Sequence, residues 1–288
     1  MKNLGYYNGA IGPLEEMTVP MNDRACWFGD GVYEASLSAN HRIFALDEHI
    51  DRFFRSAALL DMQPAQTKGQ IAGLLGALVR KVDSPDQFVY WQLTRGTAER
   101  SHAFPEGVPP NLWVMLKPLA VPSAYDAVKL ITVEDTRFFH CHIKTLNLLP
   151  NVLASEKAKR AGAYEAVFHR GERVTECSHC NVHIFKGGVF KTAPADNLIL
   201  PGITRAHLIK HCGALGIPVL EEAFTVREMA EADEVMVSGS TTFCRAASHI
   251  DGFAAGGKAP DLLRALQDAL IKEFNQAVSA PCGGFRCF

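Results

Sequence analysis

Nowhere in the 288 residues is there an apolar run long enough to cross a bilayer. The first residues, Met1-Lys2-Asn3-Leu4-Gly5, hold no apolar stretch of the kind that opens a secretory leader. A membrane protein and an exported, disulfide-built protein are thereby set aside, and a cytoplasmic chain is expected. Charge of one sign is also lacking. The 29 Lys and Arg residues stand against 31 Asp and Glu, a formal net charge of −2, which gives no footprint for nucleic acid or an anionic membrane. No internal repeat and no low-complexity tract occurs. The eight cysteines are scattered without a repeated pair, so free thiols are expected. Cys177-Ser178-His179-Cys180 has redox or zinc-ligand spacing, but a structural zinc needs four ligands and His183 would supply only a third. His140-Cys141-His142 turns two imidazoles the same way and completes no site, so no metal is expected.

What is present is an ordinary globular mixture, 48% hydrophobic and 21% charged, with length for one large domain or two. Asn8-Gly9 predicts the turn of a hairpin within residues 4–19. Gly29 and Gly31, in Trp27-Phe28-Gly29-Asp30-Gly31-Val32-Tyr33-Glu34, suggest backbone packed where a side chain would not fit. Residues 32–38 read as a strand, Asn40-His41 as a turn and 43–46 as the returning strand. Asp47 is placed to cap a helix whose stripe is Ile50, Phe53, Phe54, Ala57 and Leu60, with Arg52 off that stripe. Thr67-Lys68-Gly69-Gln70 is a capping box opening a second helix. Strands at 88–94 and 111–116 flank a loop that contains Arg100-Ser101-His102, and Pro118 and Pro122 mark a linker. Two domains are expected, 1–119 and 120–288. In the second, strands at 128–133, 164–169, 173–177, 182–186, 189–192 and 234–237 mix with helices at 152–161, 204–215 and 259–274. Such mixing without strict alternation points to an α+β fold. The tail Cys282-Gly283-Gly284-Phe285-Arg286-Cys287-Phe288 suggests no function.

At the midpoint lies His142-Ile143-Lys144-Thr145-Leu146-Asn147-Leu148-Leu149-Pro150-Asn151, one lysine among large aliphatics, with Asn151 placed to cap the next helix. Desolvation favours the neutral amine, which can attack a carbonyl carbon, so Schiff-base chemistry at Lys144 is one reading. The other is a lysine whose stem lies on apolar surface while its ammonium reaches water.

The order Lys144-Thr145-Leu146-Asn147, Thr175-Glu176, then Pro201-Gly202-Ile203-Thr204-Arg205 resembles the signature of the fold-type IV pyridoxal-phosphate enzymes, and the likeness runs over nearly the whole chain. The resemblance implies a two-domain fold with a small N-terminal α/β domain and a larger C-terminal mixed α/β domain. It implies pyridoxal 5′-phosphate as cofactor, with Lys144 as the catalytic lysine and Glu176 beside the ring nitrogen. Arg52, Ile203, Thr204 and Ser240 would hold the phosphate, and Leu200 would pack on the ring. Within that group the Arg-x-His of Arg100 and His102, with Tyr33, is similar to the carboxylate trap of the D-amino-acid aminotransferases. There the arginine and histidine reach a neighbouring subunit's site, which implies a homodimer. The implied activity is transfer of an amino group from a D-amino acid such as D-alanine to a 2-oxo acid such as 2-oxoglutarate. An aminodeoxychorismate-lyase-like enzyme, a branched-chain L-amino-acid aminotransferase and a scaffold that binds no cofactor are the alternatives. The Cys177–Cys180 stretch departs from the glycine and serines usual after the glutamate, and Gly239 departs from a fuller hydroxyl set, which leaves cofactor contacts there open.

Overall fold

The computed structural model describes residues 1–279; the tail from Cys282 onward lies outside the described residues. The chain forms two compact units. The first takes in Met1–Val121, Lys144–Asn147 and the described residues from Lys272 on, and the second takes in Pro122–Ile143 and Leu148–Ile271.

The first unit contains β1 (Leu4–Tyr7), β2 (Ala10–Gly12), α1 (Arg24–Phe28), β3 (Gly31–Ala39), β4 (Arg42–Ile43), α2 (Leu46–Leu59), α3 (Lys68–Val79), β5 (Gln87–Thr94) and β6 (Asn111–Pro118). Its six strands form one antiparallel sheet in the order β2-β1-β6-β5-β3-β4. Asn8 and Gly9 both take positive φ, 45° and 103°, the hairpin turn read from that dipeptide. Asn40 and His41 do the same at 52° and 56°. The strand expected at 43–46 is only Arg42–Ile43, because Ala45 turns left-handed (φ 52°) and α2 starts at Leu46. Ala45 is therefore the N-cap, and Asp47 sits in the first turn, where its charge complements the helix dipole. Ile50, Phe53 and Ala57 of the expected stripe are buried, and so is Arg52, which does not lie on a solvated face. Trp91 of β5 fills the core beneath them, 6.2 Å from the rings of both Phe53 and His49. Thr67 accepts from the Gln70 amide N–H while the Gln70 side chain accepts from Thr67 N–H, completing the expected capping box of α3.

The second unit contains β7 (Val128–Glu134), α4 (Leu149–Arg160), β8 (Glu165–Arg170), β9 (Arg173–Cys177), β10 (Asn181–Lys186), β11 (Val189–Thr192), α5 (Ile203–Ala214), β12 (Val219–Glu221), α6 (Val226–Ala230), β13 (Glu234–Gly239), β14 (Phe243–Ile250), β15 (Phe253–Ala254) and most of α7 (Pro260–Ser279). Eight strands run in the order β12-β11-β10-β13-β14-β7-β8-β9, with β15 paired to β14. Parallel pairs (β11 with β12, β14 with β7, β7 with β8) mix with antiparallel ones. One sheet face buries Val128, Val167, Val182, Ile184, Val235 and Val237. The other is covered by Ala154 and Ala158 of α4, which pack on Ala166 and Phe168. Asn151 does not cap α4: Pro150 stands in the first turn, the helix starts at Leu149, and the Asn151 amide donates to Ser178 O at 2.8 Å.

Candidate active site

Lys144 is placed by backbone pairing. Residues 144–146 lie along the start of β3: Tyr33 N–H donates to Lys144 O at 3.0 Å, Leu146 N–H donates to Gly31 O at 3.1 Å, and Val32 and Thr145 form a bridge. This close approach is what Gly31 permits. A Cβ there would stand 2.5 Å from Leu93 O and 2.7 Å from a methyl of Leu146. The expected domain boundary at 119/120 would put Lys144 with the second half of the chain, whereas this pairing groups residues 144–147 with the first unit. The Lys144 side chain is half-buried, its Nζ 4.3 Å from the centroid of the Tyr33 ring. Tyr33 in turn stacks on Tyr90 at 5.4 Å. The sequence thus brings Lys144 and Tyr33 together from positions far apart in the chain.

Behind them is a buried triad. Glu34 accepts from Arg52 Nε (2.7 Å) and Nη2 (2.8 Å) and pairs with His49 Nδ1 at 2.7 Å. The fork of Arg52 is set against a carboxylate in the two-bond geometry it is built for. Burial pushes the Glu34 pKa up, but Arg52 and His49 outweigh it and hold the carboxyl far below its ordinary 4.5. Burial lowers His49 from its ordinary 6.5, with Arg52 and Lys144 acting in the same direction against Glu34. Both groups bind fewer protons folded than unfolded, so both remove stability on acidification: His49 as pH falls below 6.5, Glu34 below 4.5. Thermal unfolding should therefore shift steadily to lower temperature as the pH is lowered from about 7 to 4, and His49→Gln should flatten the upper part of that slope. An unchanged slope in the variant would show that His49 titrates alike in both states.

Arg100 and His102 are exposed and flank one ring. The guanidinium carbon of Arg100 is 5.2 Å from the Phe28 centroid, and the His102 ring is 5.2 Å away. Their loop is pinned by Arg24, which is buried, pairs with Asp30 at 2.7 Å and donates to Ser101 O (2.6 Å) and Ala103 O (3.3 Å). Asp30 also holds Arg95 at 2.9 Å. Nothing in the sequence pattern singles out Arg24 or Asp30.

In the second unit Glu176 lies near the end of β9, buried, and is held by three donors. Arg137 pairs with Oε1, while Asn181 Nδ2 and Leu200 N–H each donate to Oε2 at 3.0 Å. Arg137 is itself fixed by Asp135 (3.0 and 2.9 Å) and Leu198 O (3.1 Å). Burial opposes the Arg137 charge, but Glu176 and Asp135 overcome it and raise its pKa. Asn181 also donates to Leu200 O at 3.0 Å, so one amide ties the start of β10 to both Glu176 and the Leu200 turn. Gly202 is the N-cap of α5, and a Cβ on it would stand 2.0 Å from Asn181 Oδ1, so a side chain here would displace the Asn181 amide. No side chain caps this helix, leaving the N–H groups at Ile203 and Thr204 as donors for an anion. Antiparallel pairing of Asn181 with Ser238 brings Gly239 and Ser240 beside the start of β10. Leu200, Ile203, Thr204 and Ser240 thus surround the strand ends that carry Glu176 and Asn181. His183, considered above as a zinc ligand, is a core residue: it bonds Thr192 Oγ1 (2.8 Å) and Ser238 Oγ (2.7 Å), and burial, with Arg205 adding, pulls its pKa down to about 3.

Residues 31–250 match the family described as amino-transferase class IV. The chain belongs to that family. It is 42% identical over 276 residues to the D-alanine aminotransferase of Listeria monocytogenes serotype 4b (strain F2365), covering 94% of this chain and 96% of that one. It is 36% identical over 279 residues to the D-alanine aminotransferase of Bacillus licheniformis, covering 94% and 99%. Among solved structures, the branched-chain amino acid aminotransferase of Escherichia coli superposes with a TM-score of 0.87 at 22% identity over 98% of each chain. A T.th. branched-chain amino acid aminotransferase, solved with N-(5′-phosphopyridoxyl)-L-glutamate, superposes with a TM-score of 0.86 at 25% identity, covering 97% of this chain and 95% of that one. The two-domain α+β architecture is that of the fold-type IV aminotransferases, and this class IV chain is an aminotransferase. No helix among the described residues is long and apolar enough to cross a membrane.

Proposed function

We propose that this aminotransferase is a D-amino-acid transaminase that uses pyridoxal 5′-phosphate, with D-alanine and 2-oxoglutarate as a working substrate pair. The observation that carries the reading is the 42% identity to a D-alanine aminotransferase over nearly the whole of both chains. The branched-chain enzymes, at 22–25% identity, share the fold.

The residues present suit the cofactor. A glycine cradle at a helix start with free-standing N–H donors suits a phosphate, and a buried carboxylate held among Arg137, Asn181 and Leu200 suits a protonated ring nitrogen. When bound, pyridoxal 5′-phosphate supplies an aldehyde for the amine and a ring that takes up the electron pair left as the Cα–H bond breaks. Thr204, Ile203, Ser240 and Arg52 would hold its phosphate, Leu200 would pack on its ring, and Glu176 would keep a proton at the ring nitrogen. Lys144 Nζ would take the proton from the substrate Cα as general base and deliver it, as general acid, to the cofactor carbon that bears the aldehyde. Tyr33 lies under Nζ and is positioned to share contacts with the substrate carboxylate. Arg100 grips that carboxylate with two parallel hydrogen bonds, and His102 adds a third donor. Both are exposed in this chain, and Met21, Trp27 and Phe104 in the neighbouring segments are 87, 44 and 56% exposed. Apolar surface of this kind beside a charged loop favours a homodimer in which the loop serves the partner's site.

A single half-reaction tests the reading. The purified holoenzyme is expected to absorb near 400 nm, and D-alanine alone should remove that band with release of one 2-oxo acid per site; 2-oxoglutarate should then restore it. Elimination of pyruvate with no need of an acceptor would instead indicate a lyase. Glu176→Gln keeps shape and a hydrogen bond to Asn181 but removes the anion. Its rate of Cα proton removal should fall by an amount equivalent to about 2–4 kcal/mol in barrier. A wild-type rate would mean that Glu176 does not act at the ring nitrogen.

A further inference from the structure

The second unit brings three side chains of unlike chemistry together around the turn that follows Glu176. Glu165, at the start of β8, is fully buried. His179 and Cys180 lie in the turn between β9 and β10. A carboxylate oxygen of Glu165, a ring nitrogen of His179 and Sγ of Cys180 all stand within 4.8 Å of one another. Sequence spacing alone could not show this, because Glu165 is outside the Cys-Ser-His-Cys motif and arrives through the β8–β9 pairing.

The carboxylate is rigidly mounted. Its Oε1 accepts from Ala166 N–H (2.8 Å), Ser178 N–H (3.2 Å) and the Ser178 hydroxyl. Its Oε2 accepts from His179 N–H at 3.2 Å and faces His179 Nδ1 at 2.6 Å. Cys180 Sγ is 3.3 Å from Thr242 Oγ1, which bonds the Tyr164 hydroxyl at 2.9 Å. Glu165 and Cys180 are buried, whereas the His179 side chain is 46% exposed. The cluster therefore opens to water on the imidazole side, giving an ion a way in.

We propose that Glu165, His179 and Cys180 form a three-ligand site for a zinc-type divalent cation, with a fourth position left to water. Thiolate, imidazole and carboxylate are the sulfur, nitrogen and oxygen donors that zinc takes. Magnesium and calcium take oxygen alone and are disfavoured by the thiol and imidazole. Bonds of about 2.0–2.3 Å set tetrahedral donor atoms roughly 3.3–3.8 Å apart, so ligand atoms already within 4.8 Å need only small side-chain adjustments. Charge agrees as well. One dication with one thiolate and one carboxylate is neutral, so two buried ligands are satisfied without leaving a net buried charge. Binding sends the thiol proton, and any proton shared by His179 and Glu165, to solvent. The site rests on ligand geometry and does not depend on the identity of the amino substrate.

The test uses the holoenzyme, stripped with a chelator and titrated with Zn²⁺ against a chromophoric zinc indicator, with zinc X-ray absorption on the loaded protein. One zinc per chain is expected, with one sulfur and otherwise nitrogen or oxygen neighbours. His179→Gln, at an exposed position that the fold should tolerate, should weaken binding at least about ten-fold, the scale on which losses around a metal are measured. Cys180→Ala should remove the sulfur signal. If Cys180→Ala does not fold, His179→Gln and the absorption spectrum decide. Absence of stoichiometric zinc, affinity indifferent to His179, or a spectrum with no sulfur or several would overturn the site and leave Glu165–His179 as an ion pair.

Discussion

Lys144→Ala should abolish amino transfer and the absorbance band of the holoenzyme, while leaving the chain folded. The backbone at 144–146 pairs with β3 through its own N–H and C=O groups, and the side chain contributes a contact with the Tyr33 ring but no strand bond. Removing it therefore costs little structure. Under the proposed reading its chemical cost is large: positioned proton transfer alone would account for roughly 10²–10⁴-fold, and the covalent anchor of the cofactor would be lost in addition. Borohydride reduction of the parent holoenzyme followed by peptide mapping should label Lys144. A label on any other lysine would sink the assignment.

The second large effect is expected at Arg100. Where Lys144 works from one fixed side, the handedness of the substrate is decided by where its carboxylate is gripped. Under the proposed reading, Arg100→Ala would remove a charge-assisted bidentate contact worth roughly 1.5–3 kcal/mol, equivalent to about ten- to a hundred-fold in kcat/KM for D-alanine. The loss should appear mainly in KM and should narrow the preference for D over L. If the loop serves the partner's site, mixing inactive Lys144→Ala protein with impaired Arg100→Ala protein should restore activity, since one site of a mixed dimer receives both intact residues. Proven subunit exchange with no gain would place the trap within one chain. His102→Gln, with its ring lost from the same Phe28 face, should show a weaker form of the Arg100 effect.

Much of the fold is legible because local chemistry and final structure agree. Asn8-Gly9 and Thr67–Gln70 each act within a few residues, and each forms as the sequence implies. The failures are cases where distant packing decides. β14 escapes the sequence pattern altogether: Phe243–Ile250 shows no clean alternation, yet it lies inside the sheet between β13 and β7, where backbone pairing on both edges fixes it. Asp47 and Asn151 are good capping residues by type, but a left-handed Ala45 and an early proline at position 150 set both helix starts upstream. The same division holds at the site. Lys144, Glu176 and the Gly202–Thr204 turn carry local signals. Arg137 does not, because its partner Glu176 is 39 positions away and the pairing of β7 with β8 and of β8 with β9 brings them together. Asn181 and Arg24 are invisible for the same reason: each is a positioning residue whose meaning lies in a bond to another segment.

Handedness of the amino donor is the central claim. Initial rates of amino transfer to 2-oxoglutarate from D-alanine and from L-alanine, measured on one preparation, test it most directly. Turnover of D-alanine and little or none of L-alanine is expected, with D-glutamate as the product from the acceptor. Preferential turnover of L-alanine or of branched-chain L-amino acids would contradict the claim and return the chain to the branched-chain side of its family.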